Sequence, residues 1–296
     1  MGQALAQAYP AAKAVFEEVD DVLGQKLSDI MWNGPMEDLT LTENTQPALM
    51  AASIAVVRVL EEKGIGVDHA DFVAGHSLGE YSALCAAGTL SLADTARLLK
   101  LRGQAMQRAV PVGEGAMAAL LGLEIEAAQD VATSASEYGV CTVANDNASG
   151  QVVISGHKAA IEASLDIAKE KGARKAMLLP VSAPFHCPLM QPAADEMAAA
   201  LAETTFNAPV KPVVANVAAK AVTDPDDLRS LLVEQVTGVV RWRESVLWMG
   251  ENGVDAQVEL GTGKVLSGLV RRINKGIAAT NVGTPEDVDA FMAVEG

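Results

Sequence analysis

The chain has 296 residues, with 22 Lys and Arg against 38 Asp and Glu, for a net charge of −16. Half of the residues are hydrophobic and 20% are charged, which supports a packed core and excludes a disordered tail. A surface this acidic repels nucleic-acid phosphate and anionic membrane, so neither is an expected partner, although a local basic patch is compatible with it. The three cysteines, Cys85, Cys141 and Cys187, are odd in number and widely spaced. They form no disulfide framework and point to a reducing cytoplasm. No Cys-x-x-Cys or His-x-x-x-His pair occurs, so no structural metal is expected. No apolar run reaches the length of a membrane span, and the start MGQALAQAYPAAKAVF lacks the form of a signal peptide.

In chain order, the first residues read as helix, with no leading strand. Apolar residues recurring at three and four predict a long helix over 45–62, ended by Gly64 and Gly66. A short apolar strand, Phe72-Val73-Ala74, runs into a tight turn over 75–79 and a helix over 80–87. Ser91, with Asp94 three residues on, caps a helix reaching about Gln107. The middle has another rhythm: strand 116–122, helix 124–137, strands 141–144 and 151–155 joined by the turn-rich NDNASG, helix 157–171, strand 175–179. That β-α-β-β-α-β order predicts a ferredoxin-like subdomain at 112–182, inserted into a core made of 1–111 and 183–296. Beyond it, helices are expected at 190–202, 226–236, 242–251 and 265–273. Strands are expected at 213–216, 256–260 and 277–280, with a last helix opened by Thr284-Pro285-Glu286-Asp287. Strands separated by helices imply an α/β fold with a mainly parallel sheet.

Gly75-His76-Ser77-Leu78-Gly79 fits G-x-S-x-G and lies between a strand and a helix, as that motif requires. The turn leaves little room for flanking side chains, so glycines are expected to be needed on both sides of an exposed serine. The N-terminus of the next helix favours a developing oxyanion, with the Leu78 N–H as its first donor. A serine needs a base, and there are four histidines. His76 adjoins Ser77, and neighbouring side chains diverge on a tight turn. His69 lies in a polar loop and His157 begins a helix. His186, in Ala183-Pro184-Phe185-His186-Cys187-Pro188, is stiffened by two prolines and is the preferred base. No acid stands out as a third member. Gly261-Thr262-Gly263-Lys264 lacks the spacing of a phosphate loop.

The string GHSLGEYSALCAAG, with TQPALMAAS before it and LRGQAMQ after it, resembles the malonyl-CoA:acyl carrier protein transacylases of bacterial fatty acid synthesis. APFHCPLMQPAAD, FNAPVKPVVANV and ELGTGKVLSGLVRRI resemble the same family in the same order. The resemblance implies an α/β-hydrolase-like core with a ferredoxin-like insert. It implies Ser77 as the nucleophile that carries the malonyl ester and His186 as its base. It also implies that Arg102 pairs with the malonyl carboxylate and that the Gln235 carbonyl orients the histidine. Spacing alone does not choose Arg102 over Arg97, Lys100 or Arg108. Gln46, His76 and Asn216 would lie at the pocket. Phe185 would favour malonyl over methyl-branched units. Lys264, Arg271 and Arg272 are a basic cluster suited to docking an acidic carrier protein, and Lys171, Arg174 and Lys175 are a second. Malonyl-CoA and acyl carrier protein are the expected partners of a cytoplasmic monomer that needs no cofactor. The rival readings are a serine hydrolase, a polyketide-type acyltransferase, and a non-catalytic carrier-binding protein.

The family begins with a strand and a Gly-Gln-Gly-Ser-Gln loop, whose glutamine supplies a second oxyanion N–H. Neither is in these residues. The expectation is therefore a start placed late, or an enzyme short of one donor. Loss of such a donor costs roughly 10²–10³ in rate. Extending the chain upstream by that strand and loop is expected to raise soluble yield and transfer rate; equal rates with and without the extension would refute this.

Overall fold

The structure, a computed structural model, describes residues 1–295. Four helices come first: α1 (Gln3–Ala8), α2 (Pro10–Leu23), α3 (Leu27–Asn33) and α4 (Met36–Thr40). The long helix follows as α5 (Thr42–Glu62), burying Met50, Ile54 and Leu60 in the main core. Next come strand β1 (Val73–Ala74), α6 (Leu78–Ala86) and α7 (Leu92–Ala109). Ser91 caps α7 as its pattern predicts: its Oγ accepts the Asp94 N–H at 3.0 Å, satisfying a donor that the helix start leaves free.

The middle of the chain builds one antiparallel sheet. Its elements are β2 (Gly115–Leu121), α8 (Ile125–Ala135), β3 (Cys141–Ala148), β4 (Gln151–His157), α9 (Lys158–Glu170) and β5 (Lys175–Leu178). The strands lie in the order β3-β4-β2-β5. Composition marks Asn145–Gly150 as a turn, but β3 runs on to Ala148 and only Ser149 and Gly150 turn. Register shifts between Val143 and Asn145, and between Asp146 and Ala148, fit the polar run into the strand. Such irregularities re-aim side chains. Here they let Asp146 accept the Arg243 Nε–H at 2.9 Å while almost wholly buried. A parallel bridge between Asn145 and Val240 ties this sheet to the rest of the chain.

The last third holds α10 (Gln191–Ala202), β6 (Val213–Ala215), β7 (Lys220–Val222), α11 (Pro225–Thr237), α12 (Trp242–Glu251), β8 (Ala256–Leu260), α13 (Val265–Ile273), β9 (Ala278–Val282) and α14 (Pro285–Glu295). β1 pairs with β6 in parallel, Val73 opposite Val213 and Ala74 opposite Val214. β8 pairs with β9 in parallel. β7, too short to show in the sequence pattern, adds an antiparallel strand to β6. β1 and β8 are each the edge of their own sheet, and both line one cavity of about 520 Å³. Leu49, Ile54 and Val57 of α5, Val73, Val258 and Leu260 make its walls largely apolar. Unpaired strand edges carry free N–H and C=O groups, so this cavity has polar rims on apolar walls. The parallel register also brings the C-terminal ends of β1 and β6 side by side, and the candidate site is built where both chains leave the sheet.

Candidate active site

β1 ends at Ala74 and the chain turns at once into α6. Ser77, at the turn, has φ 54° and ψ −112°. It is one of three non-glycine residues with positive φ among those described, a costly conformation that the surroundings must enforce. A Cβ on Gly75 would lie 1.9 Å from the Gly79 carbonyl oxygen, so no side chain fits there. At Gly79 the outcome differs from expectation: a Cβ would meet nothing within 4 Å. The turn demands one glycine, and the second borders the cavity behind it. Leu78 is the first residue of α6, so its N–H is among those a helix start leaves unbonded.

His186 also has positive φ, 58°, in the loop after β5. The loop is pinned by close packing: a Cβ on Gly115 would lie 2.4 Å from the Pro184 ring. The Cys187 Sγ–H donates to the Pro184 carbonyl at 3.1 Å. The result is a 2.7 Å contact between His186 Nε2 and Ser77 Oγ. Nδ1 lies 2.9 Å from the Gln235 carbonyl oxygen. A carbonyl can only accept, so Nδ1 carries the proton and Nε2 is left to accept from the serine. Gln235 lies in the last turn of α11, where carbonyls lack helical partners. Burial pushes the His186 imidazole down to about 3, the Arg102 charge adds to that, and the Gln235 carbonyl offsets only part of it.

Arg102, on α7, is 2% exposed. It can approach α5 because Gly103, next in line, has no Cβ; one there would lie 2.4 Å from the Glu43 Cα. The guanidinium donates to Gln46 Oε1 at 2.7 Å, to Gln235 Oε1 at 2.9 Å and to Ser77 Oγ at 3.2 Å. Tyr81 lies with its ring centroid 5.6 Å from the guanidinium carbon. Asn216, directly after β6, accepts the Ser77 N–H at 2.7 Å and donates to the Gly75 carbonyl at 2.7 Å. It therefore staples both sides of the elbow. His76 points away from Ser77, with Nε2 2.8 Å from Asn147 Oδ1 and its ring 5.7 Å from Trp242. Phe185, beside His186, packs between Met117, Ala144 and Val153 of the middle sheet and the main core.

The structure thus brings Ser77, His186, Arg102, Gln235, Gln46 and Asn216 into one hydrogen-bonded cluster. It does not bring Lys264, Arg271 or Arg272 there. All three are exposed at α13, where Arg271 donates to the Ala279 carbonyl and Arg272 to Gln151 Oε1, both at 2.8 Å. The 520 Å³ cavity reaches Gly75, Leu78 and Gly79 from behind and is not lined by Ser77, His186 or Arg102. Among the described residues there is no group of three His, Cys, Asp or Glu that could hold a metal ion, and no helix is long and apolar enough to cross a membrane. Two residues near the cluster carry no mark in the sequence. Asn147 lies within the turn-like string, and Glu80 looks like an ordinary first-turn acid of α6. Their roles depend on what the fold puts opposite them.

Fold and site define an α/β protein with a serine–histidine pair on a strand–turn–helix elbow, and a buried arginine beside the serine. The chain belongs to the acyl transferase domain family, which matches residues 1–286. It is 46% identical over 288 residues to the malonyl CoA-acyl carrier protein transacylase of Escherichia coli (strain K12), covering 97% of this chain and 93% of that one. Against the enzyme of that name from Bacillus subtilis (strain 168) it is 44% identical over 290 residues, 98% of this chain and 90% of that one. The crystal structure of acyl-carrier-protein-S-malonyltransferase from Bartonella henselae superposes with a TM-score of 0.97 at 56% identity, covering 99% of this chain and 94% of that one. A malonyl-transacylase in complex with a type II PKS acyl-carrier protein superposes with a TM-score of 0.96 at 41% identity, covering 99% and 94%.

The two glycines of the elbow should respond oppositely to alanine. Gly75→Ala is expected to lose about 3 kcal/mol or more through overpacking. Gly79→Ala is expected to stay within about 1 kcal/mol of the parent, or gain from helix propensity; urea melts separate the two. The buried histidine makes a pH prediction with a definite sign. The folded His186 binds its proton more weakly than the unfolded ring, whose ordinary value is 6.5. The unfolded state therefore takes up the extra proton as pH falls below that value, and stability drops from pH 6.5 towards 3, by at most about 1.4 kcal/mol per pH unit. His186→Gln should flatten that slope in urea melts between pH 4.5 and 7, and an unchanged slope would contradict the buried neutral ring.

Proposed function

We propose that this chain is a cytoplasmic malonyltransferase of fatty acid biosynthesis, moving malonyl from malonyl-CoA to the phosphopantetheine thiol of acyl carrier protein. The observation that carries the reading is Arg102, a buried guanidinium 3.2 Å from the Ser77 hydroxyl. A plain serine hydrolase has no use for a buried cation beside its nucleophile. An acyl group that ends in a free carboxylate does, because a guanidinium offers it two parallel N–H bonds.

In this scheme Ser77 Oγ attacks the thioester carbonyl as its proton passes to His186 Nε2. The developing oxyanion faces the Leu78 N–H and the start of α6. The C–S bond breaks and His186 returns the proton to the CoA thiolate. The carrier's thiol then gives its proton to His186 and attacks the malonyl ester, and Ser77 leaves as the hydroxyl. Both halves need a neutral imidazole, and the low His186 pKa keeps it neutral at ordinary pH. Gln235 holds the ring through its carbonyl, Gln46 holds the guanidinium, and Asn216 holds the Ser77 N–H. Phe185 would crowd an α-methyl group next to the base. His76 borders the pocket from the Asn147 side. The scheme uses neither a cofactor nor a metal. Residues 1–111 and 183–296 form its catalytic core and 112–182 its smaller subdomain. Lys264, Arg271 and Arg272 offer cations for an acidic carrier, and the enzyme acts as a monomer.

Intact-mass spectrometry after mixing with malonyl-CoA is expected to find a malonyl adduct on Ser77 that holo acyl carrier protein discharges. Release of free malonate without carrier protein would favour a hydrolase, and no adduct at all would leave a carrier-binding protein. In the same assay Arg102→Ala should cut malonyl transfer by roughly 10²–10³ relative to acetyl transfer; an unchanged ratio would remove Arg102 from the substrate site.

A further inference from the structure

The mechanism leaves one buried acid unused. Glu80 lies in the first turn of α6, where an acid ordinarily faces water and meets the helix dipole. Here it has no exposed surface. Its Oε2 accepts the Asn216 backbone N–H at 2.9 Å and the Gln235 side-chain Nε2–H at 2.8 Å. Its Oε1 has no partner among the described residues. The two residues it holds are the ones on which the reacting pair depends. Asn216 accepts the Ser77 N–H, and the Gln235 carbonyl takes the His186 Nδ1–H.

We propose that Glu80 is a positioning residue: one carboxylate oxygen holds Gln235 and Asn216 together, and through them sets Ser77 and His186. This rests on reading Ser77 and His186 as the reacting pair. The argument is one of donors and acceptors. The Gln235 amide faces Glu80 Oε2, the Ser77 carbonyl at 3.1 Å and Asn216 Oδ1 at 3.4 Å on one side. Its Oε1 faces Arg102, which can only donate, on the other. Glu80 makes the shortest bond to the amide nitrogen. Without that bond the amide torsion is soft, and Arg102 loses the oriented oxygen that holds it. The backbone carbonyl that meets His186 and the side-chain amide that meets the guanidinium belong to the same residue, so Glu80 acts on the guanidinium through the side chain and bonds the residue whose carbonyl meets the histidine.

The carboxyl also titrates near neutral pH. Burial pushes it up to about 7, against the Asn216 N–H, Gln235 and the Arg102 charge, which all favour the ionised form. Arg102 on α7 is the charged group acting on it. Tyr81, next on α6, titrates far higher, at about 12, and β6 and α11 present only the neutral Asn216 and Gln235. An ionised Oε2 accepts its two bonds more strongly than a protonated carboxyl does. Turnover should therefore rise as pH increases through about 7, well above any limb from His186.

The test uses the full chain, malonyl-CoA and holo acyl carrier protein, with kcat and KM measured from pH 5 to 9. Glu80→Ala is expected to lower kcat about 10²-fold, the scale of a small misplacement of reacting groups, with KM for malonyl-CoA within about threefold. Glu80→Gln, which keeps an acceptor oxygen but cannot ionise, should hold kcat near the parent's low-pH level, well above Glu80→Ala, and lose the limb near neutral pH. If Glu80→Ala fails to fold, Glu80→Gln decides alone. Unchanged kcat in Glu80→Ala, or a neutral limb that survives in Glu80→Gln, overturns the proposal. Nitrogen-15 shifts of His186 read the same effect without turnover: the Nδ1–H form alone in the parent, a mixture of tautomers in Glu80→Ala. A parent chain that forms no Ser77 adduct would sink the transfer reading, and the tautomer measurement would still decide the role of Glu80.

Discussion

A full positive charge buried at Arg102 is the constraint around which the rest of the site is arranged. Taking a guanidinium out of water costs several kcal/mol unless its donors are met. Here the two terminal nitrogens are met by neutral oxygens of Gln46, Gln235 and Ser77, gathered from two helices and the elbow, while Nε has no partner among the described residues. The same charge helps to keep the His186 imidazole unprotonated. It also pulls against the burial that would otherwise leave Glu80 neutral. Burial is the larger influence on both groups, and the one cation acts on each of them beside Ser77. A carboxylate in place of Gln235 would favour an imidazolium and alter that balance, so an amide suits this site.

Backbone conformation does the remaining work. Ser77 and His186 both sit at positive φ, and each is held there by a clearance that only glycine leaves. Gly75 lets the elbow close on Gly79, and Gly115 lets the Pro184 ring pack against β2. Gly103 does the same for the helix pair that carries Arg102 towards Gln46. The Gly115 and Gly103 contacts join segments far apart in sequence, so those two glycines are explained only once their neighbours are known. The strain at two residues is borne by packing elsewhere, as expected for a site that must be rigid before substrate arrives.

Much of this was legible in the chain itself. The strand, turn and helix around Ser77 follow from local pattern, as do the Ser91 cap and the alternation of strands and helices. His186 stood out among four histidines because prolines flank it. Other features were hidden for physical reasons. β3 runs through NDNASG because bulges and buried partners outweigh turn propensity. β7 is too short to carry a pattern. Gly79 satisfies the motif yet has open space beside it. Glu80 looked like a helix-start acid, since its unusual setting comes from residues more than a hundred positions away.

The sequence by itself determined the local elements, the nucleophile motif, the acidic surface and a resemblance strong enough to propose roles for Ser77, His186, Arg102 and Gln235. Those properties depend on neighbours along the chain, or on strings that can be matched in order. The tertiary structure alone decided which tautomer His186 holds, which oxygen carries it, where the arginine's donors go and why a buried acid lies beneath the elbow. Each of these is a relation between groups brought together by parallel pairing of β1 with β6 and by the packing of α5, α7 and α11. A hydrogen bond specifies its partner by distance and direction, and neither is written in the order of residues.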